Sequence, residues 1–301
     1  MSRGLADSDC DDLYALVLDV DALRLATAVV RYGHGSRRVA SQLRLQGPRA
    51  AYGRYEQLTE GQRDDVDRDA QALEAAGADA VLLGQGGYPP LLASLRQAPP
   101  ALFCQGNIGL LEMGSIGICG SRDASSQGLS AAYACGEEVT RCGLTVVSGY
   151  ARGVDTEAHA AALDAAGNTV MVLAEGIARF KAKRWLASKS YDPLQVTVVS
   201  QFTPNQTWSA GGAMSRNSVI IGLSLGLVVI EAGETGGILA AGKRALKERR
   251  PVIALQFRKD MPRGNKTLLD HGAIPVQSRE QLRDRLRQIL AGSHPGQPTL
   301  V

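Results

Sequence analysis

The sequence predicts an α/β protein: an extended Rossmann-like, mostly parallel sheet with helices on both faces, preceded by a small helical module. Two observations carry this. From Ser115 onward six short β-type runs recur, at Ile116–Cys119, Leu144–Val147, Thr169–Leu173, Val196–Val199, Leu227–Ile230 and Val252–Leu255, each apolar on both faces. Between them lie helix-like segments, alanine-rich at Ala158–Leu163 and Leu239–Leu246. Strands buried on both faces and separated by helices imply parallel pairing with helices above and below.

The remaining elements follow in order. Residues 11 to about 60 read as helical, with Leu13, Leu16, Val17, Val20, Leu23 and Leu25 near helical spacing and no strand-like alternation. A helix over about Gln62–Ala76 leads into Ala80–Leu83 and the proline-marked Tyr88–Leu92. Ala98–Gln105 reads as an edge strand, since prolines suit sheet edges. An amphipathic helix at about Arg279–Leu290 precedes a Gly/Pro/Ser tail over 291–301, expected to be flexible. The expected division is thus 1–61, 62–290 and the tail.

A 301-residue chain with 45% hydrophobic and 21% charged residues has ample core for one large domain and a small appendage. Its net charge of +3 says little, but the distribution is informative. Six aspartates fall in the first 21 residues, whereas Arg179, Lys181, Lys183, Arg184 and Lys189 form a run with no acid. One-sided cationic character suits a polyanionic ligand, and equally a solvated face. Five cysteines, Cys10, Cys104, Cys119, Cys135 and Cys142, show no zinc-like spacing and read as reduced thiols, with no metal. The chain has no secretory leader, and its longest apolar run, Val219–Ile230, is too short to span a bilayer. A cytoplasmic protein without membrane association is expected.

The residues able to do chemistry cluster after the predicted strands, where open α/β sheets bind ligands. They are Gly120-Ser121-Arg122, then Ser148 and Gly149 with Arg152, Gly153 and Asp155, then Glu175-Gly176 leading into the basic run, then Glu231 to Gly236-Gly237. Glycine admits close backbone approach to an anion, helix N-termini add positive partial charge, and the Arg122 fork suits phosphate oxygens. Glycines also simply end strands, but four such loops on one rim point to a phosphate-bearing ligand. Ser125 or Ser126 can cap the helix that follows Arg122.

The dinucleotide Gly-rich fingerprint and the Walker pattern are absent, so no cofactor is expected. No catalytic residue stands out. His34, His159, His271 and His294 lie in separate segments, and His159 reads as a structural partner of Asp155. Glu231 and Glu234 could form a carboxylate pair for nucleotide cleavage, or could cap a helix. Phe180, Trp185, Tyr191, Phe202 and Trp208 are interleaved with the cations, the pattern by which single strands are held. Phe180 and Trp185 are the base-stacking candidates.

At these residues the chain resembles the DprA/Smf family of DNA-processing proteins over about 62–290. The motifs, in unbroken order, begin with Tyr88-Pro89-Pro90-Leu91-Leu92, Gly120-Ser121-Arg122, the segment Val147–Asp155 with His159, and Val172–Ile177. Arg216-Asn217, Val228–Ala232, Gly264-Asn265-Lys266 and Gly272-Ala273 complete the series. The resemblance implies a homodimer that binds single-stranded DNA and loads RecA in natural transformation or recombination, with a SAM-like N-terminal module. It implies that Arg122 contacts phosphate, that Lys183 stands near the family's phosphate-binding lysine, and that Arg216 and Asn217 stand in the family's Arg-Asn motif and Asn265 and Lys266 in its late Asn-Arg pair. Lys181 and Arg184 join the phosphate-binding candidates from the charge of the basic run. The chain departs from the family pattern at Ala213-Met214, Ser218, Lys181-Ala182 and Gly236–Gly242, which suits a specialised relative, such as one working in phage defence. The alternative is a nucleotide-binding or nucleotide-cleaving Rossmann-like enzyme or sensor.

Overall fold

The computed structural model describes residues 20–33, 36–257 and 261–292. Cys10, His34, His294, the apolar positions Leu13, Leu16 and Val17 and the tail beyond 292 lie outside the described residues.

Four helices come first: α1 (Ala22–Tyr32), α2 (Ser36–Gln46), α3 (Pro48–Glu56) and α4 (Glu60–Ala75). Asp21 caps α1 by accepting from the Arg24 N–H. Thr59 and Gln62 form a reciprocal capping box, so α4 starts at Glu60, two residues ahead of the expected Gln62. The alternating elements follow: β1 (Ala78–Leu82), α5 (Pro90–Ala93), β2 (Ala101–Gly106), β3 (Ser115–Cys119), α6 (Ser126–Arg141), β4 (Thr145–Gly149), α7 (Val154–Asp164), β5 (Thr169–Val172), α8 (Arg184–Ala187) and β6 (Val196–Ser200). The chain closes with α9 (Ala210–Leu223), β7 (Gly226–Val229), α10 (Gly237–Lys247), β8 (Val252–Leu255), α11 (Arg263–Asp270), β9 (Ile274–Val276) and α12 (Arg279–Gly292).

The nine strands form one sheet in the order β1-β2-β6-β5-β4-β3-β7-β8-β9. All pairs from β6 to β9 are parallel; β1 and β2 join antiparallel at one end. The predicted sheet is therefore present, with two corrections. Ala101–Gly106 is not the edge strand, because Pro99 and Pro100 precede it and leave its ladder donors intact, so β1 pairs on its outer side. The short β9, with a proline at its centre, carried no apolar run to announce it.

Alternation along the strands builds two cores. Ile116, Ile118, Val146, Val228, Ile230, Ile253 and Leu255 face α6, α7 and α12. Val147, Leu227, Val229, Val252 and Ala254 face α9, α10 and α11, in a core that continues through β1 and β2 into α1 and α2. Glu138, fully buried on α6, accepts from Arg141 and from Arg283 of α12 and so ties that helix down. Cys104, Cys119 and Cys135 are buried free thiols, and desolvation pushes Cys119 and Cys135 up to about 12. No helix among the described residues is long and apolar enough to cross a membrane.

Candidate nucleic-acid interface

The order of strands decides where the special loops meet. The chain runs outward from β3 through β4, β5 and β6, then returns to the other side of β3 as β7. The loops after β3, β4, β5 and β7 therefore lie along one carboxyl rim, and the switch point falls between β3 and β7.

A cleft of 440 Å³ opens on this rim, lined by Arg122, Arg152, Arg179, Lys181, Lys183 and Arg216 against one carboxylate, Glu175. Arg122, Arg179, Lys181 and Lys183 have no carboxylate salt-bridge partner among the described residues. Arg152 does, at 2.7 Å from Asp123 on the exposed lip. Lys183 is held in place: its backbone N–H donates to the Tyr150 hydroxyl at 2.7 Å, and its ammonium donates to the Tyr150 carbonyl and lies 4.3 Å from the ring centroid. Burial lowers its pKa, with Asp155 and Glu175 opposing. A phosphate at the ammonium would offset that desolvation.

Arg216 reaches the cleft floor from α9. Its guanidinium lies 3.6 Å from Asp155, both side chains being 8% exposed, and its Nε has no partner. Gly149 makes this possible, because a Cβ there would fall 1.2 Å from the Arg216 Nη1. Gly153, at φ +79°, lets the Ser121 and Arg122 carbonyls pass within 2.6 Å of where a Cβ would stand. Gly120 makes room for Val154, and the Ser148 hydroxyl donates to Ile118 O at 2.6 Å inside the core. These glycines and this serine thus form the scaffold that closes β3 on β4 and seats the arginines.

The remaining predicted residues divide. Ser121 stabilises the Arg122 loop by accepting from the Asp123 N–H. Asn217 donates to Gly237 O at 3.3 Å, which places Gly236-Gly237 beside α9 on the same rim but outside the cleft lining. Asn265 is fully buried and spends its carboxamide on Ala232 N, Ile230 O and Leu255 O, each at 2.8 Å. Lys266 is exposed on α11. Arg184 is exposed but does not line the cleft, and Lys189 is paired with Asp164.

Phe180 and Trp185, the expected stacking rings, are half-buried behind Tyr150, with ring centroids 5.3 and 6.1 Å from it. Trp185 also stacks on His159, and its indole N–H is enclosed. The rings that do line the cleft are Tyr150 and Trp208, the latter 50% exposed with the Arg122 guanidinium 5.3 Å from its centroid. Trp208 stands between Pro204 and Ser209 with no aliphatic neighbour in sequence, and that isolation was the available signal. Ser125, not Ser126, caps α6, and Glu231 accepts from the Ser125 N–H and hydroxyl across the switch point. Glu234 instead pairs with Arg263 at 3.1 Å, so the two carboxylates are engaged separately.

His159 bonds to Gly149 O at 2.7 Å and to the Thr169 hydroxyl at 2.6 Å, and Asp155 turns to Arg216 instead. Since a carbonyl only accepts, Nε2 carries the proton. Burial pushes this imidazole down to about 4 from its ordinary 6.5, the Gly149 contact opposing. The unfolded chain takes up a proton in that window and the folded one does not. Stability therefore falls as pH drops from 6.5 towards 4, by about 1.4 kcal/mol per unit. Urea denaturation at both ends of the window should show this slope in the parent and a shallower one in His159→Gln.

A doubly wound, mostly parallel sheet with a cationic cleft beside its switch point defines a Rossmann-like α/β protein with a site suited to phosphates. The chain belongs to the DNA recombination-mediator protein A family, whose pattern matches residues 79–287. It is 34% identical over 168 residues to DNA processing protein DprA of Streptococcus pneumoniae, covering 56% of this chain and 59% of that one. DprA of Bacillus subtilis is 29% identical over 218 residues, 71% of this chain and 73% of the relative, and Smf of Escherichia coli is 33% identical over 204 residues, 66% and 54%. The chain thus spans between about half and three quarters of these relatives' lengths. The X-ray structure of S. pneumoniae DprA superposes with a TM-score of 0.65 at 25% identity over 93% of this chain and 98% of that one. DprA of Helicobacter pylori, described for its single-stranded DNA binding mode, shares the fold with a TM-score of 0.61 at 20% identity over 72% and 97%.

Proposed function

We propose that the rim cleft holds the phosphate backbone of single-stranded DNA and that the chain acts as a non-enzymatic recombination mediator of the DprA type. The observation that carries this reading is the meeting of Arg122, Arg179, Lys181 and Lys183, unpaired with carboxylates, around the exposed Trp208 ring. Cations hold a backbone at any sequence, and rings are reached only by unpaired bases. The DprA relatives are named DNA processing proteins, and that of Helicobacter pylori is described for its single-stranded DNA binding mode.

Anisotropy titration with length-matched single- and double-stranded oligonucleotides tests it. Single strands should bind more tightly, with log K falling against log salt by roughly 0.7 per phosphate contacted. Equal affinity for the duplex would sink the single-strand reading. Trp208→Ala should weaken single-strand binding by about 1–3 kcal/mol, and Trp208→Phe by much less.

The reading also takes a RecA-type recombinase as the recipient of the strand and a homodimer as the working form, both supported by family membership. Sedimentation and a recombinase-loading assay on coated single strands check them. The departures at Ala213-Met214 and Gly236–Gly242 favour a specialised pathway, such as phage defence, over general transformation. With Glu231 held by the Ser125 N–H and hydroxyl and Glu234 paired with Arg263, incubation with a nucleotide panel should release no base.

A further inference from the structure

On the opposite rim, at the amino ends of β7, β8 and β9, lies a second groove of 460 Å³. Its cations are Arg249 and Arg250, in the turn between α10 and β8, and Arg285 on α12, and no carboxylate of the described residues lines it. Among the described residues none of the three has a salt-bridge partner. Arg250 donates to Leu91 O at 3.2 Å, and its Nε is enclosed without a partner. Arg285 donates to Gln288 on its own helix. Arg249 holds the left-handed position that ends α10, at φ +56°, where glycine is the usual occupant.

The charge balance is uneven. The C-terminus of α10 presents about half a negative unit, and Glu248, outside the groove lining, acts on Arg250. Three full positive charges exceed these by more than one, so an anion is favoured there. The floor decides which anion. Leu91, Leu225, Ile274 and Ile289 make it aliphatic, and no aromatic ring of the described residues lines it on which a base could stack. Its volume lies within the range of ligand pockets and exceeds what a bare ion needs.

We propose that this groove docks an acidic, aliphatic peptide segment of a protein partner, its carboxylates on Arg249, Arg250 and Arg285 and its aliphatic side chains on the floor. Charge complementarity draws the segment in, and apolar burial holds it. This site is separate from the cleft on the carboxyl rim, so single strand and partner can be bound together.

The test uses the full chain and a fluorescein-labelled synthetic peptide in which aspartates alternate with leucines. Its anisotropy should rise on binding, an asparagine-for-aspartate peptide should bind at least roughly tenfold more weakly, and Arg249→Glu with Arg285→Glu should weaken binding to the same extent. Both arginines are exposed, so folding is preserved, which circular dichroism checks. Arg122→Ala and saturating single-stranded oligonucleotide should leave peptide binding unchanged. Equal binding of the two peptides, or insensitivity to both charge reversals, would overturn the proposal. So would a charge-reversed protein that loses oligonucleotide affinity while the parent ignores the peptide, which would make the groove a nucleic-acid surface. Failure of the carboxyl-rim reading would show instead as oligonucleotide binding indifferent to Arg122→Ala.

Discussion

Arg122→Ala combined with Lys183→Ala is expected to lower single-strand affinity by roughly two orders of magnitude near physiological salt, at about 1.5 kcal/mol or more per charge-assisted hydrogen bond. The two side chains come from different loops, after β3 and β5, yet line one cleft. Neither is committed to a carboxylate salt bridge, so removing them orphans no buried acid. Arg122 does give up its place over the Trp208 ring, and Lys183 its hold on the Tyr150 carbonyl. Their closeness means the double variant need not equal the sum of the singles. The salt slope should shrink by roughly 0.7 for each phosphate that is no longer neutralised. A double variant that folds and binds with parental affinity and slope would remove the cleft from the DNA path.

Asn265→Ala is expected to be the most destabilising single change, at roughly 3 kcal/mol or more, because each buried polar group left unpaired costs about 1–3 kcal/mol. One carboxamide joins the ends of β7 and β8 and the Ala232 N–H, and alanine leaves all three main-chain groups without that partner. Beside it, Gly264 packs so closely on Ala232 and Gly233 that no side chain can shift in to compensate. Denaturant midpoints read the effect, and Asn265→Asp should be no better, since a carboxylate turned on two carbonyls replaces attraction with repulsion. A loss under about 0.5 kcal/mol, the size of an ordinary surface change, would refute the role.

The fold was largely legible in the sequence. Six core strands were readable because a strand buried on both faces writes a short apolar run that needs no knowledge of its neighbours. Ile274–Val276 was not, since an exposed proline at its centre breaks that pattern. Arg122, Arg152, Lys181, Lys183 and Arg216 line one cleft, because each follows a strand end or belongs to a motif whose place on the rim is set by the fold. The orientation of the rings is not legible in the same way. Phe180 and Trp185 lie within the basic run, but sequence proximity to a cation does not say which way a ring faces, and both turned inward against Tyr150.

By itself the sequence determined the parallel sheet, the loops at its carboxyl rim and the residue types those loops carry. All three follow from local alternation, glycine placement and charge. Only the tertiary structure decided that Arg216 is buried against Asp155, that Asn265 serves the scaffold, that Trp208 lines the cleft, and that three arginines meet at the far rim. Those facts depend on strand order and on which side chains win the limited space between packed elements. That competition couples residues far apart in the chain, and no local pattern records it.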